Sequence, residues 1–249
     1  MSAAQQQRTR TALLTTEAAL LERMRRTVDA IVKAHFSTDP AKEAVFAGIS
    51  ATAAALQRHL PAVIAAGKAS ARNAALATLH ADADALRREL RRAGEADTLP
   101  ELPRPSDTVQ VDRQESRKVA AGFAEAWRGA ATTALLGSVD ARDNVRLRAL
   151  VAQTTAKTAH HVERIAATEN AKAFNDERVR ASSTFQLGTV VVTKLWDSTL
   201  DARTCPICES LDGQIVPVAA DFTYGGRAVV PGRVHPFCRC TFHLIRGTA

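Results

Sequence analysis

Cys205-Pro-Ile-Cys208 and His235-Pro-Phe-Cys238-Arg-Cys240 hold all four cysteines of the 249-residue chain within its last 45 residues. Thiols crowded at one end of an otherwise cysteine-free chain point to a single ligating cluster. Zinc needs four thiolate or imidazole donors, and two short pairs separated by a longer loop can deliver them. Five donors compete for the four places. Cys205 with Cys208 forms one pair. His235 and Cys238 repeat its two-residue gap and are the favoured second pair, with Cys240 an alternative to either. Read this way, the cluster is a structural zinc centre with one ion per chain, closed by protein ligands and without an open position for an activated water. One or two disulfides, or buried free thiols, are the competing readings. Residues 1–30 carry Arg8, Arg10, Arg23, Arg25 and Arg26 without an uninterrupted apolar core and so do not resemble a signal peptide, and a reducing compartment favours zinc.

Around the cluster the hydrophobic period is that of short strands. Thr189 to Trp196 is rich in β-branched residues and predicts one strand, followed by a turn over Asp197–Asp201 that leads to Cys205. Gln214–Val218, after the Asp212-Gly213 turn, predicts a second, and Cys240–Ile245 a third. Gly225-Gly226, Pro231-Gly232 and Pro236 are assigned to loops. About 60 residues with so few large apolar side chains bury little by themselves, so a metal is expected to supply much of the folding free energy here.

Upstream, the period is helical. Leu14, Leu21, Val28 and His35, with Glu17, Met24 and Ile31 interleaved, predict a helix over about 10–35. Asp39-Pro40 reads as its successor's N-cap and first turn, with Val45, Ile49, Ala53, Leu56 and Leu60 behind it. Pro61 is expected to kink or restart the chain before a third segment ending near Gly94. Pro100, Pro103, Pro105, Ser106 and Asp107 read as a linker. Beyond it, Val119, Phe123, Trp127, Ala130 and Ala134 mark a helix closed by Gly137, and Val145–Phe174 mark another, carrying His160 and His161. The fold class is therefore mainly α: a helical N-terminal arm or bundle (1–95), a Pro-rich linker (96–111), a helical middle unit (112–184) and a small α+β zinc-binding lobe (185–249).

Composition bounds the function. No apolar run is long enough to span a bilayer. The net charge of +7 is uneven, residues 1–96 holding 14 Lys+Arg against 9 Asp+Glu. That surplus suits an acidic partner such as nucleic acid, and solvated helix faces also produce it. Aromatics make up only 4% of the chain, which disfavours base stacking and leaves the phosphate backbone as the target of any DNA contact. Arg203, Arg233 and Arg239 flank the ligands and are the candidate contacts to phosphate or an acidic partner surface, with Arg239 also suited to hydrogen-bonding around the ligands. Glu169 reads by default as a structural salt bridge. Gly225-Gly226 lacks the following lysine of a nucleotide site.

Ile165-Ala-Ala-Thr-Glu169-Asn, Lys194-Leu-Trp196, Asp201-Ala-Arg-Thr-Cys205-Pro-Ile-Cys208, Leu211-Asp-Gly213 and Pro231 to His235-Pro-Phe-Cys-Arg-Cys240 occur in the order of the motifs of the phage Mu F-like head morphogenesis family. The chain resembles that family over roughly 110–245, with residues 1–95 outside the resemblance. Ala167 departs from it, standing where the family usually has arginine. The resemblance implies a noncatalytic minor head protein of a tailed phage, in a few copies inside the capsid near the portal, after assembly in the host cytoplasm. It also implies the portal protein and/or the major capsid protein as partners, with genomic double-stranded DNA as a further contact and no membrane. A non-virion head assembly factor is one alternative. The other is a zinc-dependent hydrolase of deaminase type, which pairs His-x-Glu with Pro-Cys-x2-Cys. His161-Val-Glu163 and Cys205-x2-Cys208 imitate its halves, but Thr204 stands where the proline should be.

Overall fold

The computed structural model describes residues 3–36, 42–95, 98–103, 112–137, 144–187, 190–199 and 204–247. The fold is mainly α. Helices α1 (Ala3–Phe36), α2 (Lys42–Arg92), α3 (Asp112–Leu136) and α4 (Asn144–Ser182) precede a small C-terminal strand region. There a short helix, α5 (Pro206–Leu211), lies among strands β1 (Val192–Asp197), β2 (Ile215–Pro217), β3 (Phe222–Tyr224), β4 (Arg227–Val229) and β5 (Thr241–Arg246). Asp39-Pro40, Pro105, Ser106, Asp107, Asp201 and Arg203 lie outside the described residues.

Two compact units are present. The first comprises Met1–Ala18, Gly67–Val109 and Ala167–Ala249; the second comprises Ala19–Ala66 and Gln110–Ala166. These units cut across the segments read from the sequence, because α1, α2 and α4 each contribute one part to each unit.

In the second unit, Leu20, Met24 and Val28 of α1 bury with Val45, Ile49, Leu56, Leu60 and Ile64 of α2, Phe123 and Trp127 of α3, and Val162 of α4. Pro61 does not restart the chain. Helix α2 runs through it, since Leu60 and Ile64 continue the buried face on either side, and that burial outweighs one missing backbone donor. Helix α2 then ends in a Schellman arrangement, with Gly94 at φ 73°, Glu95 N–H donating to Leu90 O and Gly94 N–H to Arg91 O. Gly94 was legible as the stop.

In the first unit β1 is the centre of a three-stranded antiparallel sheet of order β2-β1-β5, with Lys194 opposite Val216 and Leu244. Strands β3 and β4 form a separate hairpin closed by Gly225-Gly226, both at positive φ (55° and 76°). That glycine pair, assigned to a loop, is a two-residue hairpin signal of the type that requires two left-handed residues. The lobe does not have to build a core alone. Trp196, Phe222 and Phe242 pack with Leu76, Leu79, Leu86 and Leu90 of α2 and with Leu99 and Leu102 of the described segment 98–103. Trp196 meets Phe222 edge-on at 5.1 Å.

Candidate metal centre

Each arm of the cysteine cluster is placed by local backbone chemistry. Cys205 is the N-cap of α5: its sulfur accepts the Cys208 N–H at 3.3 Å, and Pro206 occupies the first helical turn, where its missing N–H costs nothing. The second arm is two consecutive proline turns. Val230-Pro231-Gly232-Arg233 closes with Arg233 N–H on Val230 O and has Gly232 at φ 76°; His235-Pro236-Phe237-Cys238 closes with Cys238 N–H on His235 O and has Phe237 at φ 65°. Proline followed by a left-handed residue is the type II pattern, and Phe237 adopts the conformation that glycine takes in the first turn. It is the only described non-glycine residue at positive φ, so backbone strain sits between two donors.

The five predicted donors converge on Cys208. The ligand atoms of Cys205, Cys208 and His235 lie within 4.8 Å of one another, and so do those of Cys208, Cys238 and Cys240. Cys208 Sγ is 3.2 Å from His235 Nε2 and 3.8 Å from Cys238 Sγ. Two sulfurs held at about 2.3 Å on a tetrahedral zinc are themselves about 3.8 Å apart, so the Cys208–Cys238 edge already has that length. His235 Nδ1 sits 2.6 Å from Pro236 O; donating there, it leaves the Nε2 lone pair facing the sulfurs, which is the tautomer a ligand needs. Cys205, Cys208, His235 and Cys240 line a cavity of about 20 Å³, room for one ion-sized or water-sized occupant. The donor set fits zinc. Edge length favours Cys238 as the fourth ligand, and the cavity lining favours Cys240.

All four cysteines are free thiols in the structure, and three of them are buried. Hydrogen bonds from Cys208 and Cys240 pull the Cys238 thiol down to about 2, and the same Cys208–Cys238 bond pushes Cys208 far up. The three buried sulfurs lie within 4.8 Å of one another, an arrangement in which a bound divalent cation would let more than one ionise at neutral pH.

The surroundings hold the ligands in place. Asn175 Nδ2 on α4 donates to Cys240 O at 3.0 Å, and Ser198 Oγ donates to Cys208 O at 2.6 Å while lying 3.5 Å from Cys240 Sγ. Arg239 donates two bonds to Glu17 of α1, and Arg233 makes a two-point pair with Asp176 of α4. Glu169 is fully occupied as a salt bridge, 3.1 Å from Lys68 and 3.2 Å from Lys172, with Ala167 buried two residues before it.

His161 and Glu163 of the deaminase-like pattern have their partners within the second unit. Glu163 pairs with Arg25 and His160, His161 packs edge-on against Phe123 at 5.5 Å, and neither joins the cysteine groups. Burial, helped by Arg164 and His160, lowers the pKa of His161. Asn175 and Ser198, both set around the donors, were missed in the sequence because nothing in their spacing relates them to cysteines 65 and 42 residues away.

Residues 136–243 match the family model described as Phage Mu protein F like protein. That segment resembles the Phage Mu F-like family. It contains all five donors, Glu169 and the whole strand region from β1 to β4. The family points to phage head morphogenesis. No curated protein and no solved structure matches the chain. Among the described residues no helix is long and apolar enough to cross a membrane.

Proposed function

We propose that this chain is a minor head protein of a tailed phage or phage-like particle, present in a few copies on the capsid interior near the portal. The observation that carries the reading is the Phage Mu F-like match over 136–243, which coincides with the donor cluster and its supports. The portal protein and/or the major capsid protein are the proposed neighbours, with packaged double-stranded DNA as a further contact. Charge supports an acidic neighbour for the second unit, which holds 15 Lys+Arg against 10 Asp+Glu, while the first holds 18 against 16.

The cluster is proposed to hold one structural zinc ion through Cys205, Cys208 and His235, with Cys238 or Cys240 fourth. The ion would cross-link α5, the His235 turn and the start of β5. No catalytic role is assigned: Glu163, which the hydrolase alternative needs beside the metal, is engaged by Arg25 and His160.

Quantitative mass spectrometry of purified particles tests the placement. A low, reproducible ratio to the major capsid protein supports it, and absence from particles overturns it in favour of an assembly factor. For the metal, the purified chain should contain one zinc. The double variant Cys205→Ser/Cys208→Ser should lose it; full metal retention by that variant would mean that the ligand set is wrong. Comparing Cys238→Ser with Cys240→Ser decides the fourth ligand.

A further inference from the structure

Helix α1 changes character along its length. In the second unit it buries Leu20, Met24 and Val28, all apolar. In the first unit it buries Gln5, Thr9, Leu13 and Glu17, of which only Leu13 is apolar. Leu13 packs with Ala71, Ala75 and Phe174, Gln5 donates to Asp82 of α2 and Asn170 of α4 donates to Leu13 O, but the remaining polar partners of this end of the helix border the ligand loops. Glu17 Oε2 and Oε1 accept from Arg239 Nε and Nη2 at 3.0 and 2.6 Å, and Arg239 stands between Cys238 and Cys240. Seven residues earlier on the same face, Arg10 Nη2 donates at 3.1 Å to the carbonyl of Ser198, the residue whose hydroxyl bonds Cys208 O and touches Cys240 Sγ. Gln6 Nε2 lies 3.5 Å from Asp197 Oδ1, next to Ser198.

We infer that residues 3–18 of α1 form a latch that is closed by metal binding at the cysteine centre. This rests on the zinc reading above. Arg239 can face Glu17 only while its two flanking cysteines hold their places. Ligation would fix them, because an ion shared by Cys205, Cys208, His235 and Cys238 or Cys240 cross-links the two arms of the cluster on either side of Arg239. Once the ligand loop relaxes, Glu17 is left as a carboxylate, mostly buried, without its bidentate partner, and the apolar contact that keeps this end of α1 docked is the small cluster of Leu13 with Ala71, Ala75 and Phe174. The coupling is reciprocal: whatever factor metal contributes to docking, docking contributes to metal affinity. Glu17, 222 residues from Arg239 in sequence, is thus a positioning residue of the metal centre.

The test uses the full chain loaded with zinc. Metal affinity is measured by competition with a chromophoric chelator for wild type, for Glu17→Gln, and for Glu22→Gln as control, since Glu22 is exposed and pairs with Arg26 one turn further along α1. Hydrogen exchange is followed in parallel over residues 3–18 and over α3, before and after chelation of the wild type. Glu17→Gln is expected to weaken zinc binding by about tenfold or more, as loss of a residue supporting a ligand typically does. The control should match wild type, and chelation should raise exchange over 3–18 well above any change in α3. Wild-type affinity in Glu17→Gln, with zinc bound one per chain, overturns the latch and leaves the zinc reading standing. Wild type that takes up no zinc overturns both. Because the exchange arm needs no variant, it decides even if Glu17→Gln fails to fold: unchanged protection over 3–18 after chelation, or loss uniform with α3, overturns the latch.

Discussion

Gly232 is a point of close approach between the ligand loops and α4. A methyl group there would lie 2.7 Å from Ala171 O and 2.8 Å from Asn175 Nδ2, on a backbone already at φ 76°. Gly232→Ala is expected to cost about 2–4 kcal/mol, read by urea denaturation, because strain and overlap with backbone add and Asn175 must release Cys240 O. Loss of less than about 1 kcal/mol would mean that the loop and helix separate easily. Glu169 makes the complementary point about charge. Both it and Lys68 are buried, so Lys68→Met leaves a carboxylate with only the partly exposed Lys172, and destabilisation of about 3 kcal/mol is expected by the same assay. Of these residues the sequence disclosed Glu169 as an ion-pair candidate. Its partner 101 positions away was invisible, since nothing local distinguishes Lys68 from a solvated lysine.

Elements show where burial overrode local preference. Proline within a helix removes the bond to the carbonyl four residues earlier, yet α2 continues through Pro61 with buried neighbours on both sides. Pro61→Ala is expected to raise the melting temperature, corresponding to about 1–3 kcal/mol, by restoring that donor and improving helix propensity. An unchanged or lowered melting temperature would mean that the surrounding helices require the proline's local geometry. The β3–β4 hairpin illustrates the opposite lesson. Gly225-Gly226 carries a readable turn signal, but the flanking Phe222-Thr-Tyr and Arg227-Ala-Val runs are only three residues each, too short to show a strand period.

Across the first unit as a whole, a buried charge network ties helices to sheet. Arg178 Nη2 donates to Asp82 Oδ2 and to Phe242 O, each at 2.6 Å; Gln5 donates to Asp82 Oδ1; and His243 lies between Asp197, 3.1 Å away, and Asp82, 3.6 Å away. Burial opposes the Asp82 charge, but Arg178, then His243 and Gln5, overcome it and hold the carboxyl at about 2. Burial likewise opposes a charged His243, and the bonds to Asp197 and Asp82 outweigh it, raising its pKa. The signs give a window. Asp82 contributes about 2 kcal/mol that is present above pH 3.8 and lost as pH falls toward 2, whereas the His243 contribution is complete below pH 6.5 and lost as pH rises through its raised value. Urea unfolding from pH 2 to 9 should show both slopes, and His243→Gln should abolish the alkaline one; an alkaline slope that persists in the variant assigns it to another group. The sequence by itself determined the helical majority, three of the short strands and the candidate cysteine-histidine cluster, because periodicity and spacing are local and survive in one dimension. Only the tertiary structure decided that α2 shares the C-terminal core, that Glu17 and Asn175 support the ligand loops, and that Asp82 and His243 meet. Those contacts join residues far apart in the chain, and the desolvation that gives them their energy exists only once the chain has folded.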